Sequence, residues 1–261
     1  MRALVYEGRR LLGVRTTWLI VLATLGTAAV AAAVASRQAD AGPLSVSQSV
    51  PLLTAAVPLL PLPIVTLGAG AIGALSYGHE VCYPVLRASL VAPHRRLQLL
   101  AAKMTVIGAA SAVLASASLA VNALVLRGTL PPGVDRSGLL DADGLPRALL
   151  GFVVLVVATA WVCLFAAGLL RSAAAGMMVL LALPTAAEPA LDALLSQSDS
   201  SWAERFSMLL PFRVGHGWVY VDRGSRGPLS SDNLIPIGVT LLPALVLLLA
   251  CVVAQLRRRV V

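Results

Sequence analysis

Charged residues fall in blocks along this chain, and the gaps between the blocks are long. No Asp, Glu, Lys or Arg occurs in residues 16–35, 41–78, 104–126, 148–170, 172–187 or 234–256. A bilayer core about 30 Å thick is crossed by about 20 apolar residues in helix. Most of these gaps therefore match one crossing each. The 41–78 run is longer than needed, and its first third is rich in Ser and Pro. The 172–187 run is short unless its helix continues past Glu188. The pattern predicts an all-α polytopic membrane protein with six spans, at 16–35, 52–77, 104–126, 148–170, 172–195 and 234–256, in one domain covering the chain. A charge at mid-membrane costs roughly 2.5–3.5 kcal/mol, so gaps of this length are not expected by chance.

Composition agrees. Hydrophobic residues make up 58% of the 261 and charged ones 12%, about half the roughly 25% of ordinary globular chains. That excludes a disordered chain, a collagen-like one and a soluble domain. The formal net charge is +8, and its placement explains it. With six spans, one side of the membrane holds Arg2, Arg9, Arg10, Arg15, Arg87, Arg95, Arg96, Lys103, Arg171, Arg257, Arg258 and Arg259 against Glu7 and Glu80. The other side holds eight basic and ten acidic residues. Lys and Arg mark the cytoplasmic side, so both termini are expected inside, in the cell membrane. The basic excess reports orientation and needs no nucleic acid.

Arg9-Arg10 before an apolar run, with Ala33-Val34-Ala35 after it, resemble a signal peptide. The run of 20 residues exceeds the roughly 7–15 of a secretory core, which favours an uncleaved span. Cys82 falls on the cytoplasmic side, and Cys163 and Cys251 fall in spans, so the outer loops offer no disulfide framework.

Several motifs fail on context. Gly68-Ala69-Gly70-Ala71-Ile72-Gly73 matches the dinucleotide fingerprint, but inside a span, without a βαβ unit, it reads as a small-residue face for close helix packing. His79-Glu80-Val81-Cys82-Tyr83 begins like a zinc-protease motif but has Tyr where the second His ligand belongs. No Walker A sequence is present, and Lys103, the one lysine, lacks a glycine-rich run before it. Energised transport therefore needs ATP and Mg on another polypeptide. The five clear spans carry no acid or base of the kind that ion-coupled carriers use. Glu188 and Asp192 read as surface residues at the outer end of the fifth.

Two cytoplasmic segments carry more pattern than connectors need. At 100° per residue Leu4, Val5, Leu11 and Leu12 share one face of an N-terminal helix over 1–15, opposite Arg2, Tyr6, Arg9 and Arg10. This is an interfacial amphipathic helix, resting on membrane lipid or holding a partner. In the loop 78–103, Pro84 suits the first position of a short helix and Pro93 its end. Val85, Leu86, Ser89 and Leu90 form a stripe with Arg87 opposite. That stripe fits either a groove on a cytoplasmic protein or the lipid headgroups, while Arg95, Arg96 and Lys103 anchor the next span at the interface.

The order of these elements resembles the membrane subunits of type-2 ABC exporters (ABC-2 permeases), particularly small actinobacterial ones. In that family a Glu-Tyr-Arg-x-Gly-Thr-like stretch ends span two, then come Pro-x-Arg-Arg and an Ala-Lys pair entering span three. Here Glu80-Val81-Cys82-Tyr83-Pro84-Val85-Leu86-Arg87 is followed by Ala92-Pro93-His94-Arg95-Arg96 and Ala102-Lys103. Glu80, Pro93, Arg96 and Lys103 match, whereas Cys82, Pro84 and Val85 depart from the family's Arg, Gly and Thr. Leu210-Pro211-Phe212 is similar to the Leu-Pro-Phe that precedes the family's final span.

The resemblance implies a non-catalytic permease that exports a substrate, with no cofactor of its own. Its partners would be two copies of a separate ATP-binding subunit and a second permease chain, in a homodimer. Pro84, Val85, Leu86, Arg87, Ser89 and Leu90 would dock on the ATPase, with Glu80 fixing the angle of that helix. Gly68, Gly73, Gly108, Ala112 and Ala115 would serve helix packing, the dimer contact and the pathway. Leu210, Pro211 and Phe212 would belong to an outer gate. Trp202, Phe206, Leu209, Phe212 and Trp218 fit a loop that dips into the outer leaflet. The alternative class is a non-ABC polytopic protein, either a carrier or the membrane anchor of an assembly.

Overall fold

The structure is a computed structural model that describes residues 2–38, 42–43, 46–57, 60, 62–82, 93–132, 134–135, 145–197, 210–214 and 235–257. Its helices are α1 (Arg2–Gly13), α2 (Arg15–Ser36), α3 (Val46–Leu53), α4 (Ile64–Cys82), α5 (Pro93–Thr129), α6 (Leu145–Leu170), α7 (Ala173–Ala182), α8 (Glu188–Ser196) and α9 (Ile235–Arg257). A π-helical turn, Leu183–Ala187, joins α7 to α8. Otherwise the described residues hold a single helical turn at 211–214 and one two-residue parallel bridge, Gly42 beside Val134 and Pro43 beside Asp135.

Five stretches are long and apolar enough to cross a bilayer: Arg15–Ser36, Gln98–Thr129, Leu145–Leu170, Ala173–Ser196 and Ile237–Ala254. The chain is thus an all-helical, multi-pass membrane protein. Its centre is α6, which packs against α4, α5, α7 and α9. Two-thirds of its apolar length is buried, against about a fifth for α2. Burial in a membrane bundle follows from neighbours rather than from water, and α6 is the helix with neighbours on all sides.

The run 52–77 is not one helix. α3 ends at Leu53 and α4 begins at Ile64, and the apolar part of α4, Ile64–Tyr77, is shorter than the five stretches of crossing length. The sequence supplies the reason, since Pro58, Pro61 and Pro63 each lack an N–H and clash with the preceding turn. Ala55 turns the chain with a left-handed φ of 50°. A broken helix at membrane depth survives only where its freed backbone groups find partners inside the protein. Here the buried Asn122 of α5 donates from Nδ2 to the Leu53 carbonyl at 2.8 Å.

Small residues set the helix spacing. A Cβ at Gly68 would overlap the Thr24 side chain of α2, and one at Gly73 would overlap the Ala160 carbonyl of α6. The Trp161 indole lies on Gly108 and donates from Nε1 to the Met104 carbonyl at 2.9 Å. The glycine-rich run is therefore a packing surface with a different neighbour at each glycine, as close helix contact in a membrane requires.

Four contacts define one end of the bundle. Lys103 near the start of α5 meets Ser76 near the end of α4, and Glu7 of α1 joins them. Tyr77 packs on Gly168. Cys251 Sγ lies 3.3 Å from the Phe165 carbonyl, placing the last turns of α9 at the same end. The α6–α7 reversal is there too: Arg171 takes the left-handed conformation at φ 54°, and Ser172 Oγ accepts from the Ala175 N–H at the start of α7. At the opposite end Ser36 donates to Thr129 at 2.9 Å beside the two-residue bridge.

Candidate functional site

At the first end α1 is held by charge. Glu7 Oε2 lies 3.2 Å from Lys103 Nζ, and the two side chains are 4% and 2% exposed. Glu7 Oε1 lies 3.5 Å from Arg10 Nη1, an ion-pair distance rather than a hydrogen bond. Lys103 Nζ and Arg10 Nη2 both reach the Ser76 carbonyl at 3.4 Å. One carboxylate and one carbonyl thus gather two cations from α1 and α5 on the flank of α4. A cavity of about 30 Å³ beside them, lined by Glu7, Arg10, Thr17, Ile72 and Ser76 among others, has room for about one water.

This arrangement splits the expected apolar face of the helix. The face of α1 turned to the bundle carries Glu7, Arg10 and Leu11, whereas Leu4, Val5 and Leu12 are exposed. Trp18 sits exposed at the α1–α2 elbow, with its indole donating to the Leu12 carbonyl at 2.9 Å. Ionic residues fix α1 to the protein and leave Leu4, Val5 and Leu12 facing outward, as an interfacial helix needs. Lys103 is thereby not the interfacial anchor that its position suggests. It is a buried partner 96 residues from Glu7.

At the other end a backbone turn is held by a carboxylate. Residues 211–214 form one helical turn, and Glu188 accepts from the Phe212 N–H through Oε1 at 2.7 Å and from the Arg213 N–H through Oε2 at 2.9 Å. Glu188 is buried, which corrects its reading as a surface residue. Arg213 Nη1 pairs with Asp192 at 2.9 Å, both well exposed. Leu210, Phe212 and Val214 are buried, and Phe212 joins a cluster with Leu62, Cys163 and Leu180. Beside the turn is an open cleft of about 320 Å³ lined by Pro184, Glu188, Pro189, Asp192, Leu210, Phe212 and Arg213.

The remaining expected site residues separate into two groups. Glu80 lies within α4, whereas Pro84, Val85, Leu86, Arg87, Ser89 and Leu90 lie outside the described residues. Gly68, Gly73, Gly108 and Ala115 are buried within one chain, and Ala112 is half-buried. A polar seam that sequence reasoning missed runs down α5 on one face, through the fully buried Ser111, Ser118 and Asn122. Ser111 Oγ, Asn122 Oδ1 and Ser49 Oγ of α3 have no hydrogen-bond partner among the described residues. The available signal was their Ser–x6–Ser–x3–Asn spacing on one helical face. No protein-family model, no curated protein and no solved structure matches the chain.

Proposed function

We propose that the chain is the membrane-spanning permease subunit of an ATP-driven exporter of the type-2 ABC kind. It would form the translocation path in a homodimer and couple to two copies of a separate ATP-binding subunit that carries the ATP and Mg. The observation that supports this best is the Glu7–Lys103–Arg10 network. A force applied to the segment between α4 and α5 would be passed to α1, α4 and α5 together, because a buried ionic contact joins all three. The positive-inside rule puts this basic end in the cytoplasm, where an ATPase would be met. α3, the break and α4 together would form the second of six crossings, with the N-terminus inside.

Co-purification with an ATPase expressed from a neighbouring gene tests the proposal, and transport by the isolated chain without one would overturn it. Leu86→Asp with Leu90→Asp is expected to abolish association while membrane insertion is retained. Unchanged association would remove that helix as the contact.

One observation favours a second reading. Carriers build sites from broken helices at membrane depth, and the break after Leu53 lies against Asn122, whose Oδ1 has no partner among the described residues. Transport that follows an ion gradient, and continues without any ATPase, would select that reading.

A further inference from the structure

Leu210, Phe212 and Val214 of the 210–214 turn are buried, yet the Phe212 and Arg213 N–H groups, in the first turn of a one-turn helix, have no acceptor within it. An unpaired buried N–H costs about 1–3 kcal/mol, so this turn stays docked only while an acceptor meets it. That acceptor is the Glu188 carboxylate, with one oxygen on each N–H.

The helix that carries Glu188 is built to aim it. Pro184 and Pro189 cannot donate to the preceding turn, and the chain answers with the π-helical turn Leu183–Ala187, which ends with the Glu188 N–H on the Leu183 carbonyl, five residues back. One residue inserted in this way turns everything after it by about 100°, and π-turns of this kind recur at functional positions. Without the insertion, Glu188 would face another side of the helix.

We propose that Glu188 is a positioning residue: its carboxylate latches the 210–214 turn, so that Phe212 stays packed in the apolar cluster that joins the start of α4 to α6 and α7. Phe212 shares a buried apolar cluster with Leu62 just before α4, Cys163 of α6 and Leu180 of α7, and contacts within such a cluster are non-directional. They fill the space without fixing the backbone, so the direction comes from Glu188. The exposed Arg213–Asp192 pair is secondary, because surface pairs contribute little. When the latch opens, the turn leaves and that apolar cluster is exposed beside the existing cleft. This inference does not depend on an ATPase partner.

The test uses the full-length chain in lipid nanodiscs, without any ATPase, so its outcome is independent of the reading above. Hydrogen exchange at the Phe212 and Arg213 amides is followed in the wild type, Glu188→Ala and Glu188→Gln. Exchange is expected to rise at least tenfold in Glu188→Ala and by less in Glu188→Gln, whose single carbonyl can still accept from one N–H. Amides of α4, α6 and α7 should keep their wild-type protection. In parallel, Val214→Cys is expected to resist a membrane-impermeant maleimide with Glu188 present and to react at least tenfold faster with Glu188→Ala. Unchanged exchange at 212 and 213 would overturn the proposal. So would an equal rise throughout the bundle, because Glu188 would then only stabilise the fold. If Glu188→Ala does not assemble, Glu188→Gln decides alone, and wild-type exchange rates in it would overturn the latch.

Discussion

Glu7 and Glu188 are both buried acids near the ends of the same bundle, and they are satisfied in different ways. Glu7 faces two cationic side chains at 3.2 and 3.5 Å, whereas Glu188 faces two backbone N–H groups at 2.7 and 2.9 Å. The first contact is strong in charge and loose in direction, with long side chains that can follow one another. The second is short and directional, and it fixes a backbone. A buried pair holds elements together under load, because removing one member leaves an uncompensated charge. A carboxylate on two N–H groups sets the orientation of one small turn. The bundle therefore joins its elements firmly at the basic end and adjusts a single turn at the other.

Neutralising each acid in turn breaks the comparison most directly. Glu7→Gln should cost about 3–5 kcal/mol, the usual cost of orphaning a buried charge, because Lys103 then keeps its charge and loses its counter-charge. Lys103→Met should cost less than Glu7→Gln, since Glu7 retains Arg10 at 3.5 Å. Adding Glu7→Leu to Lys103→Met should recover part of the loss. Denaturant unfolding in detergent micelles measures all three, and additive losses in the double variant would contradict the pairing. Asn122→Ala comes next, at about 1–3 kcal/mol, the cost of leaving the buried Leu53 carbonyl unpaired. In the same assay, an Asn122→Ala variant of wild-type stability would mean that the break needs no partner from α5. Glu188→Gln should cost only about 1 kcal/mol, the difference between charged and neutral hydrogen bonds. The order Glu7, Asn122, Glu188 is the sharper prediction, and its reversal would show that direction outweighs charge here.

The crossings were legible because a gap in charge is a local signal, and five of the expected spans coincide with helices of crossing length. The expected span at 52–77 was legible as apolar but not as continuous. Its three prolines carried the warning, yet hydropathy averages over them. The ionic network was not legible, because Glu7 and Lys103 are 96 residues apart and periodicity is silent at that range. Two hints were present: Glu7 is the sole acid among the first 39 residues, and Lys103 is the sole lysine in the chain. The role of Glu188 was hidden for a different reason. It follows a π-helical turn that shifts the helical register by one residue, and neither hydropathy nor a regular 3.6-residue period signals such a turn. The expected docking stripe around Leu86 and Leu90 remains a sequence argument, with its test above.

The smallest expected effect separates the two kinds of contact within one site. Arg213 donates its backbone N–H to Glu188 and its guanidinium to Asp192. Arg213→Ala removes the second contact and leaves the first intact. If direction positions the turn, this variant should lose no more than about 0–1 kcal/mol, the range for exposed pairs, and the Phe212 and Arg213 amides should keep their protection. Raising the salt concentration should weaken the Asp192 contact in the wild type without changing exchange at those amides. If Arg213→Ala instead released the turn as fully as Glu188→Ala, charge would hold this end as it holds the other, and the contrast between Glu7 and Glu188 would fail.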